Sequence, residues 1–404
     1  MPSTVLETTD NPFGAQSRVA PRFRKNVLFL HGGGNWIRGS ENALLTLLRG
    51  IDRSMVEPFL FCSHQELAAR APGIESTVAP LPEIMVDSDH RRLQFLGWMK
   101  TVLKLRSLVR QKQIDLIYCN GGSTLQVGYY VAKLCGIPVI CHIHSPYSRR
   151  YIILYRFHLA SKLIFVSEAI KTQINARHRL RAGCEVVHNG VDVQRFHPAK
   201  ARDSSWKQQL GLEEGTLVFG QVSSLIRRKG IDLVLKAFRT ISGDYPQARL
   251  VLVGDGPEDC ACRSLAATLG ITHKVVFAGE IADPVPIYQH VFDVNVLASR
   301  SDAFPLSLLE AAACGVPSIA AAVDGIPEAV KHGTTGLLFD AENVEMLSQN
   351  MRVLLRMSEL RSKLGQAARL DAVARFSNEQ YCGSIQRIIL EQPSLRKRYS
   401  RVRA

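Results

Sequence analysis

Short apolar runs and amphipathic stretches alternate along the first half of the chain. The run 26–30 is apolar and leads into His31 and three glycines, after which leucines recur at helical spacing from Leu44 to Leu48. The pattern then repeats, with strands predicted near 59–62, 114–119, 137–143 and 162–166 and helices near 93–112, 123–135 and 168–178. This alternation predicts a parallel sheet with helices on both faces.

A second series of the same kind follows the polar stretch 198–215. Its strands are predicted at 217–222, 249–253, 274–278, 293–297, 318–322 and 336–339, and its helices at 230–241, 258–269, 284–290, 305–314, 326–331 and 343–355. The segment from 358 onward is helical in pattern, to about 391. The chain is therefore predicted to be an α/β protein with two Rossmann-like, doubly wound domains. Ligands of such sheets bind at the carboxyl ends of the strands, in the cleft between the domains.

Composition is that of a globular protein. The 404 residues suit two domains, 46% are hydrophobic and 21% charged, and no run of 18 apolar residues could span a bilayer. Residues 1–25 are polar and lack an apolar core of signal-peptide length, so we expect a disordered leader and a cytoplasmic protein. Nine cysteines without a C-x-x-C pair favour buried thiols in a reducing compartment over disulfides or zinc.

Positive charge is concentrated in the first half. Residues 1–200 contain 26 Lys and Arg against 14 Asp and Glu, whereas residues 201–404 contain 24 against 22. Such a surface suits nucleic acid, anionic lipid or a phosphorylated acceptor, and composition does not choose among them. The stretch 91–113 suits either a helix lying on anionic lipid or a helix packed on the sheet with solvated cations. Its cations are Arg91, Arg92, Lys100, Lys104, Arg106, Arg110 and Lys112, and 147–162 is a second basic, aromatic patch.

The stretch 299–317 carries the most chemical information. Asp302 and Glu310 are eight residues apart, and Pro305 between them suits a first helical position. Asp302 is therefore predicted to lie before a helix whose free N–H groups attract an anion. Glu310 would lie roughly 7 to 8 Å further along the axis, about the distance from a diphosphate to its ribose. The alternative is an ordinary capped helix with Glu310 in solvent.

Two common nucleotide-binding motifs, G-x-G-x-x-G and the Walker loop, are absent from the sequence, which disfavours a hydride-transfer enzyme. Instead, residues 223–230 read Ser-Ser-Leu-Ile-Arg-Arg-Lys-Gly after the first strand of the second half. Cations there would face the cleft beside the helix that follows Asp302, so a diphosphate would be held by charge on one side and by amides on the other. A solvated basic loop is the alternative.

These motifs resemble the donor site of glycosyltransferase family 4, retaining enzymes of the GT-B fold. The family has two glutamates separated by seven residues, and Asp302 stands at the first position. Residues 223–230 match the family's Gly-Arg-Leu-x-x-x-Lys-Gly, with Ser224 where arginine is usual and Arg227 or Arg228 as its replacement. Seven such motifs occur in order between about 26 and 390.

The resemblance implies a role for each matching residue. Lys229 would hold the leaving diphosphate, Glu310 the ribose hydroxyls, Asp302 the hexose hydroxyls and His144 the sugar near the reacting carbon, while His142 stays structural. The donor-binding residues would be Ser224, Arg227, Arg228, Gly254, Gly256, Phe277, Gly279, Phe304, Pro305, Leu306 and Glu310. An acceptor-side loop would comprise Gly33, Gly34, Arg38 and Gly39, together with Trp36.

The implied protein is a retaining, metal-independent transferase with no cofactor. It would move a sugar from a nucleotide diphosphate sugar of unknown base to a glycan or lipid-linked acceptor, in cell-surface polysaccharide or glycolipid synthesis. We expect an anionic membrane surface as a further partner and no nucleic acid. The alternatives are a degenerate GT-B binding protein and a GT-B epimerase. The expected divisions are a leader (1–25), an acceptor-side domain (26–195), a donor domain (196–375), a helix crossing back (376–392) and a basic tail (393–404).

Overall fold

The computed structural model describes residues 24–34, 37–81, 95–180 and 183–393. Most of the expected leader and tail, together with Trp36, Arg91 and Arg92, lie outside the described residues. The first sheet contains β1 (Lys25–His31), β2 (Val56–Cys62), β3 (Glu75–Val78), β4 (Leu116–Asn120), β5 (Val139–Ile143), β6 (Lys162–Phe165) and β7 (Gly183–Val186). All seven strands are parallel, in the order β3-β2-β1-β4-β5-β6-β7.

Helices cover both faces of this sheet. They are α1 (Gly39–Gly50), α2 (Gln65–Ala69), α3 (Phe95–Gln111), α4 (Gly122–Cys135), α5 (Arg149–Leu154) and α6 (Glu168–Arg177). The sequence pattern missed β3, β7, α2 and α5. Both strands lie at sheet edges and keep most of their side chains partly or fully exposed, so they lack the apolar run that reveals the inner strands.

The second sheet has six parallel strands. They are β8 (Leu217–Val222), β9 (Ala248–Val253), β10 (Val275–Gly279), β11 (Val294–Leu297), β12 (Ser318–Ala321) and β13 (Gly336–Phe339). Their order is β10-β9-β8-β11-β12-β13. The accompanying helices are α7 (Ser205–Gln209), α8 (Ile231–Ser242), α9 (Asp259–Thr268), α10 (Leu306–Ala313), α11 (Ile326–Ala329), α12 (Val344–Arg356) and α13 (Ser358–Arg375). Two parallel, doubly wound sheets confirm the predicted fold class.

The last helix, α14 (Asn378–Glu391), packs on α1 of the first domain. Its Tyr381 hydroxyl donates to the carbonyl of Ala43 at 3.2 Å, and its apolar face joins the core beneath α1. The ammonium of Lys25 in β1 also donates to the carbonyl of Ile389 at 3.0 Å. The chain therefore returns to its starting domain, and a continuous apolar core extends through both sheets.

Candidate functional site

The predicted site residues gather where the strand order of each sheet reverses. In the first sheet this point lies between β1, which ends at His31, and β4, which ends at Asn120. In the second sheet it lies between β8 and β11, whose following loops carry Lys229 and Asp302. Ligands of doubly wound sheets bind at such reversal points, because the loops there diverge and leave a crevice.

On the second-domain side, Lys229 and Asp302 form a close ion pair. The Lys229 ammonium lies 2.5 Å from Asp302 Oδ2, and the guanidinium of Arg228 lies 3.6 Å from the same oxygen. Arg228 also donates to the carbonyl of Ser301 at 2.7 Å. Of the two arginines considered as replacements at the Ser224 position, Arg228 is the one beside Asp302. The site thus holds two cations around one carboxylate at the start of α10.

Arg300, which the sequence analysis did not single out, supports this arrangement. It donates to both oxygens of Asp232 at 2.9 Å, to Glu342 at 2.7 Å and to the carbonyl of Arg227 at 2.8 Å. The hydrogen bonds from Arg300 lower the pKa of Asp232. This bidentate pair fixes the turn that carries Lys229 to the loop after β11. Nothing in the Ser-Arg-Ser sequence before Asp302 signals that role.

Glu310 lies inside α10, as predicted, and is only partly buried. Burial raises its pKa to about 7, although the hydroxyl of Tyr288, which donates to Glu310 Oε2 at 3.1 Å, pulls the pKa down. Tyr288 belongs to a π-helical turn, Ile287–Val291, and is fully buried. The sequence analysis missed Tyr288 because a tyrosine in an apolar helical pattern is usually a core residue. π-Helical turns are frequent at functional sites.

The first-domain side of the cleft is a buried polar chain. His144 Nε2 donates to Asn120 Oδ1 at 2.8 Å, and Asn120 Nδ2 donates to His31 Nδ1 at 2.9 Å. His31 Nε2 then lies 3.0 Å from Glu41 Oε1. Because the amide nitrogen of Asn120 can only donate and its oxygen only accept, Asn120 assigns the tautomer of both imidazoles.

Burial and hydrogen bonding set the charges along this chain. Burial and, to a smaller extent, the neighbouring His31 lower the pKa of His144 to about 3. Glu41 has a weaker effect in the opposite direction. Burial opposes ionisation of Glu41 as well, but its contact with His31 and hydrogen bonds from backbone amides hold its pKa at about 2. His144 is therefore neutral and Glu41 ionised at neutral pH. His142 is fully buried and bonded to the Tyr118 hydroxyl at 2.7 Å.

The acceptor-side loop follows β1 directly. Gly33 N–H donates to Ser63 Oγ at 2.9 Å, and that hydroxyl donates back to the Gly33 carbonyl at 2.8 Å. Arg38 precedes α1, and its N–H donates to Glu41 Oε2 at 3.0 Å. Gly34 lies between these anchors and Gly39 begins the helix. The loop is therefore tied at both ends to the same buried chain, through His31 and Glu41.

Three of the predicted donor residues pack closely against the protein's own chain. A side chain at Gly254 would meet the carbonyl of Ser223 at 2.0 Å, so only glycine fits beside this backbone segment. Gly256 is likewise pressed against the carbonyl of Leu225 at 2.4 Å. Phe304 is buried and stacks on His188 with ring centroids 4.6 Å apart, so its ring packs between the domains.

The remaining donor positions line the same end of the second sheet. Phe277 is half-buried under the guanidinium of Arg263, 4.5 Å from its ring centroid, and Gly279 ends β10. Pro305 caps α10 rather than forming its first turn, and Leu306 begins the helix. Ser224 lies partly buried in the loop after β8.

Comparison with known proteins agrees with this architecture. Residues 37–195 match the family described as Glycosyltransferase Family 4, and residues 203–371 match Glycosyl transferases group 1. The D-inositol 3-phosphate glycosyltransferase of Mycobacterium leprae is 34% identical over 353 residues, covering 81% of this chain and 80% of that protein. The GDP-mannose-dependent alpha-(1-6)-phosphatidylinositol monomannoside mannosyltransferase of Mycobacterium tuberculosis is 28% identical over 285 residues, covering 66% of this chain and 73% of that protein.

Among solved structures, Anabaena HepE in complex with UDP and glucose has the same fold, with a TM-score of 0.78 and 23% identity over 90% of this chain and 99% of that one. The chain therefore belongs to glycosyltransferase family 4. It is a nucleotide-sugar glycosyltransferase of the GT-B fold. The family and fold inferred from the sequence motifs are confirmed.

Proposed function

We propose that this transferase retains the anomeric configuration of its nucleotide diphosphate sugar and works without a metal ion. The observation that carries the proposal is the grouping of Lys229 and Arg228 at Asp302, where α10 begins. Two cations and the N–H groups of a helix start can neutralise a leaving diphosphate, which is the task a metal performs elsewhere. In this scheme the leaving phosphate itself helps to deprotonate the acceptor.

The loop before α10 and the helix itself would bind different parts of the donor. Glu310 accepts from the ribose hydroxyls, with its Tyr288 hydrogen bond orienting the carboxylate. Asp302 exchanges its bond to Lys229 for the hexose hydroxyls once the diphosphate takes the lysine. Neutral His144 faces the sugar from the first domain as a hydrogen-bonding group that adds no positive charge beside the reacting carbon.

The test is transfer from a panel of nucleotide sugars by the purified protein, with nucleotide release measured with and without a crude lipid acceptor. We expect release with one donor, retained configuration by the anomeric proton coupling of the product, and full activity in excess chelator. Inverted product would overturn retention. Loss in chelator with rescue by magnesium would overturn metal independence. Tight nucleotide binding without any transfer would favour the degenerate binding protein.

For the acceptor, we propose a lipid-linked molecule reached from an anionic membrane surface. Helix α3 buries Val102, Leu105 and Val109 but exposes a second apolar group beside cations. The exposed apolar residues are Phe95, Leu96, Met99 and Leu103, and the neighbouring exposed cations are Lys100 and Lys104. Leu96, Met99 and Leu103 follow helical spacing on one side, an arrangement typical of interfacial helices. The Mycobacterium tuberculosis relative is named for a lipid acceptor, which supports the same class here.

Within the described ranges, no helix has both the length and the apolar character needed to cross a membrane. Membrane contact by the exposed cations of α3 would be salt-sensitive, since charges near such a surface contribute roughly 1 kcal/mol each and molar salt shortens the Debye length to about 3 Å.

Sedimentation with anionic liposomes at low and high salt tests this proposal. Leu96→Ser with Leu103→Ser should reduce binding, and so should Lys100→Gln with Lys104→Gln. The matched control is Leu370→Ser with Val373→Ser, two exposed apolar residues on α13 of the second domain. Equal binding by all these proteins, or none at low salt, would contradict membrane docking through α3 and favour a soluble acceptor.

A further inference from the structure

Asp324 has a backbone conformation that aspartate seldom adopts. It lies between β12 and α11 with φ of 44°, in the left-handed region where glycine is the usual residue. The next residue is Gly325, where a Cβ atom would sit 1.9 Å from the carbonyl oxygen of Ala303. A residue held in such a conformation needs compensating contacts. The carboxylate of Asp324 makes them.

The two oxygens of Asp324 contact different domains. Oδ2 accepts from the backbone N–H of Asp302 at 3.0 Å and from the hydroxyl of Ser301 at 2.5 Å. Both residues lie in the loop 298–305 between β11 and α10, here called the donor loop. Oδ1 accepts from Gln173 Nε2 at 2.7 Å. Gln173 lies in α6 of the first domain. One side chain therefore joins the loop that presents Asp302 to the opposite wall of the cleft.

A second carboxylate makes the same crossing one turn away. Glu328 accepts from the backbone N–H groups of Glu168 and Ala169, each at 2.9 Å, and so caps the start of α6. It also lies 2.9 Å from His188 Nε2 of the first domain. These contacts hold α6 against the second domain, with Gln173 one and a half turns along the helix from its start.

We propose that Asp324 is a positioning residue that couples the approach of the two domains to the orientation of Asp302. With α6 in place, Gln173 fixes one carboxylate oxygen and thereby directs the other at the Asp302 amide. With α6 withdrawn, Asp324 loses that restraint and the donor loop loses a charge-assisted hydrogen bond of fixed direction. The catalytic meaning of this coupling rests on the role proposed above for Asp302.

Asp324→Gly is the decisive variant, because glycine accepts the positive φ without strain while the carboxylate is removed. The fold should therefore remain, because relief of the backbone strain offsets part of the stability lost with the three hydrogen bonds of the carboxylate. We expect kcat/KM for the donor to fall at least tenfold, chiefly through kcat, with nucleoside diphosphate affinity changed less than threefold. Gln173→Leu, which removes only the cross-domain bond, should cause a smaller loss, and the control is Thr172→Val at an exposed neighbouring position of α6.

The double variant measures the coupling itself. Asp324→Gly with Gln173→Leu should be no more impaired than Asp324→Gly alone, because both changes remove the same connection. Additive losses, or wild-type kcat/KM in Asp324→Gly, would overturn the proposal.

Amide hydrogen exchange tests the coupling without any transfer assay. In the protein alone, Gln173→Leu in the first domain should speed exchange at the Asp302 amide in the second domain, whereas Thr172→Val should not. Unchanged exchange in Gln173→Leu would refute the coupling even in an active enzyme. Faster exchange in a protein that transfers no sugar would instead refute the proposed function and leave the coupling standing.

Discussion

The two walls of the cleft differ in how their polar side chains are paired. The first-domain wall is a row of hydrogen-bonded side chains in which His144, Asn120 and His31 already have partners, and it ends at the ionised Glu41. The second-domain wall is charged, with Lys229 paired to Asp302 at 2.5 Å and a partly buried Glu310 whose pKa is raised to about 7. In the proposed function the donor binds to the charged second wall, whereas the polar groups of the first wall are already paired within the protein.

This difference between the walls predicts that mutations in the first affect mainly folding stability and mutations in the second affect mainly catalysis. Buried hydrogen bonds whose partners cannot be replaced by water contribute to folding, so changes in the first wall should act mainly on stability. Charges that are poised for an anionic ligand contribute little to folding, because their desolvation offsets their attraction. Changes in the second wall should therefore act mainly on transfer and nucleotide binding.

The largest expected effect is on turnover in Lys229→Ala. A leaving diphosphate that loses its charge partner in a partly desolvated site should lower turnover ten- to a hundredfold or more, which corresponds to about 1.4 to 2.7 kcal/mol in the barrier. Steady-state kinetics measures it, with Lys236→Ala, an exposed lysine of the same domain paired to Asp232, as control. Turnover near that of wild type would remove Lys229 from the site.

Asn120→Leu should instead lower the stability of the fold. Leucine is close to asparagine in size but leaves His144 Nε2 and His31 Nδ1 without the bonds that Asn120 supplies, and each unsatisfied buried group costs about 1–3 kcal/mol. We expect the free energy of unfolding to fall by roughly 2 kcal/mol or more, measured by denaturant titration. For Lys229→Ala the free energy of unfolding should fall less, because Arg228 still lies 3.6 Å from Asp302 Oδ2 and Ser299 still donates to that oxygen at 3.4 Å. If Lys229→Ala were the more destabilised protein, the comparison between the walls would be wrong.

The same contrast explains what the sequence could reveal. The inner strands and the positions of Lys229, Asp302 and Glu310 were predictable. Apolar runs mark buried strands, and short motifs place Lys229 before α8, Asp302 before α10 and Glu310 inside α10. Asn120, Arg300 and Tyr288 were not, since each acts through a partner far away in the chain. The close packing of Gly254 and Gly256 against the loop after β8 could not be predicted, because that contact exists only in the folded chain.

The next effect in size concerns Glu310 and pH. Ribose hydroxyls donate more strongly to a carboxylate than to a carboxylic acid, so binding favours the ionised form. Since burial raises the pKa of Glu310 to about 7, affinity for a nucleoside diphosphate should rise as pH increases from 6 to 8. In Glu310→Gln the affinity should be roughly tenfold weaker at pH 8, and the difference should shrink toward pH 6.

Calorimetric titration of both proteins across this range isolates Glu310, because the ligand's own ionisation is common to the two. A ratio of affinities that stays constant with pH would show that Glu310 does not titrate at the site. Equal affinities at pH 8 would contradict the ribose role altogether.

The smallest effect should come from Tyr288→Phe, which keeps the ring in the core and removes only the hydroxyl that donates to Glu310 at 3.1 Å. That hydrogen bond lowers the pKa of Glu310, so its loss should move the midpoint of the affinity change to higher pH. At pH 8.5 and above, where the carboxylate is again mostly ionised, affinity should return close to that of wild type. The matched control is Phe292→Leu, which alters the aromatic neighbour of Tyr288 without touching the carboxylate. A uniform loss of affinity at every pH would mean that the hydroxyl orients Glu310 without changing its pKa. An unchanged midpoint would show that the hydrogen bond does not lower the pKa of Glu310.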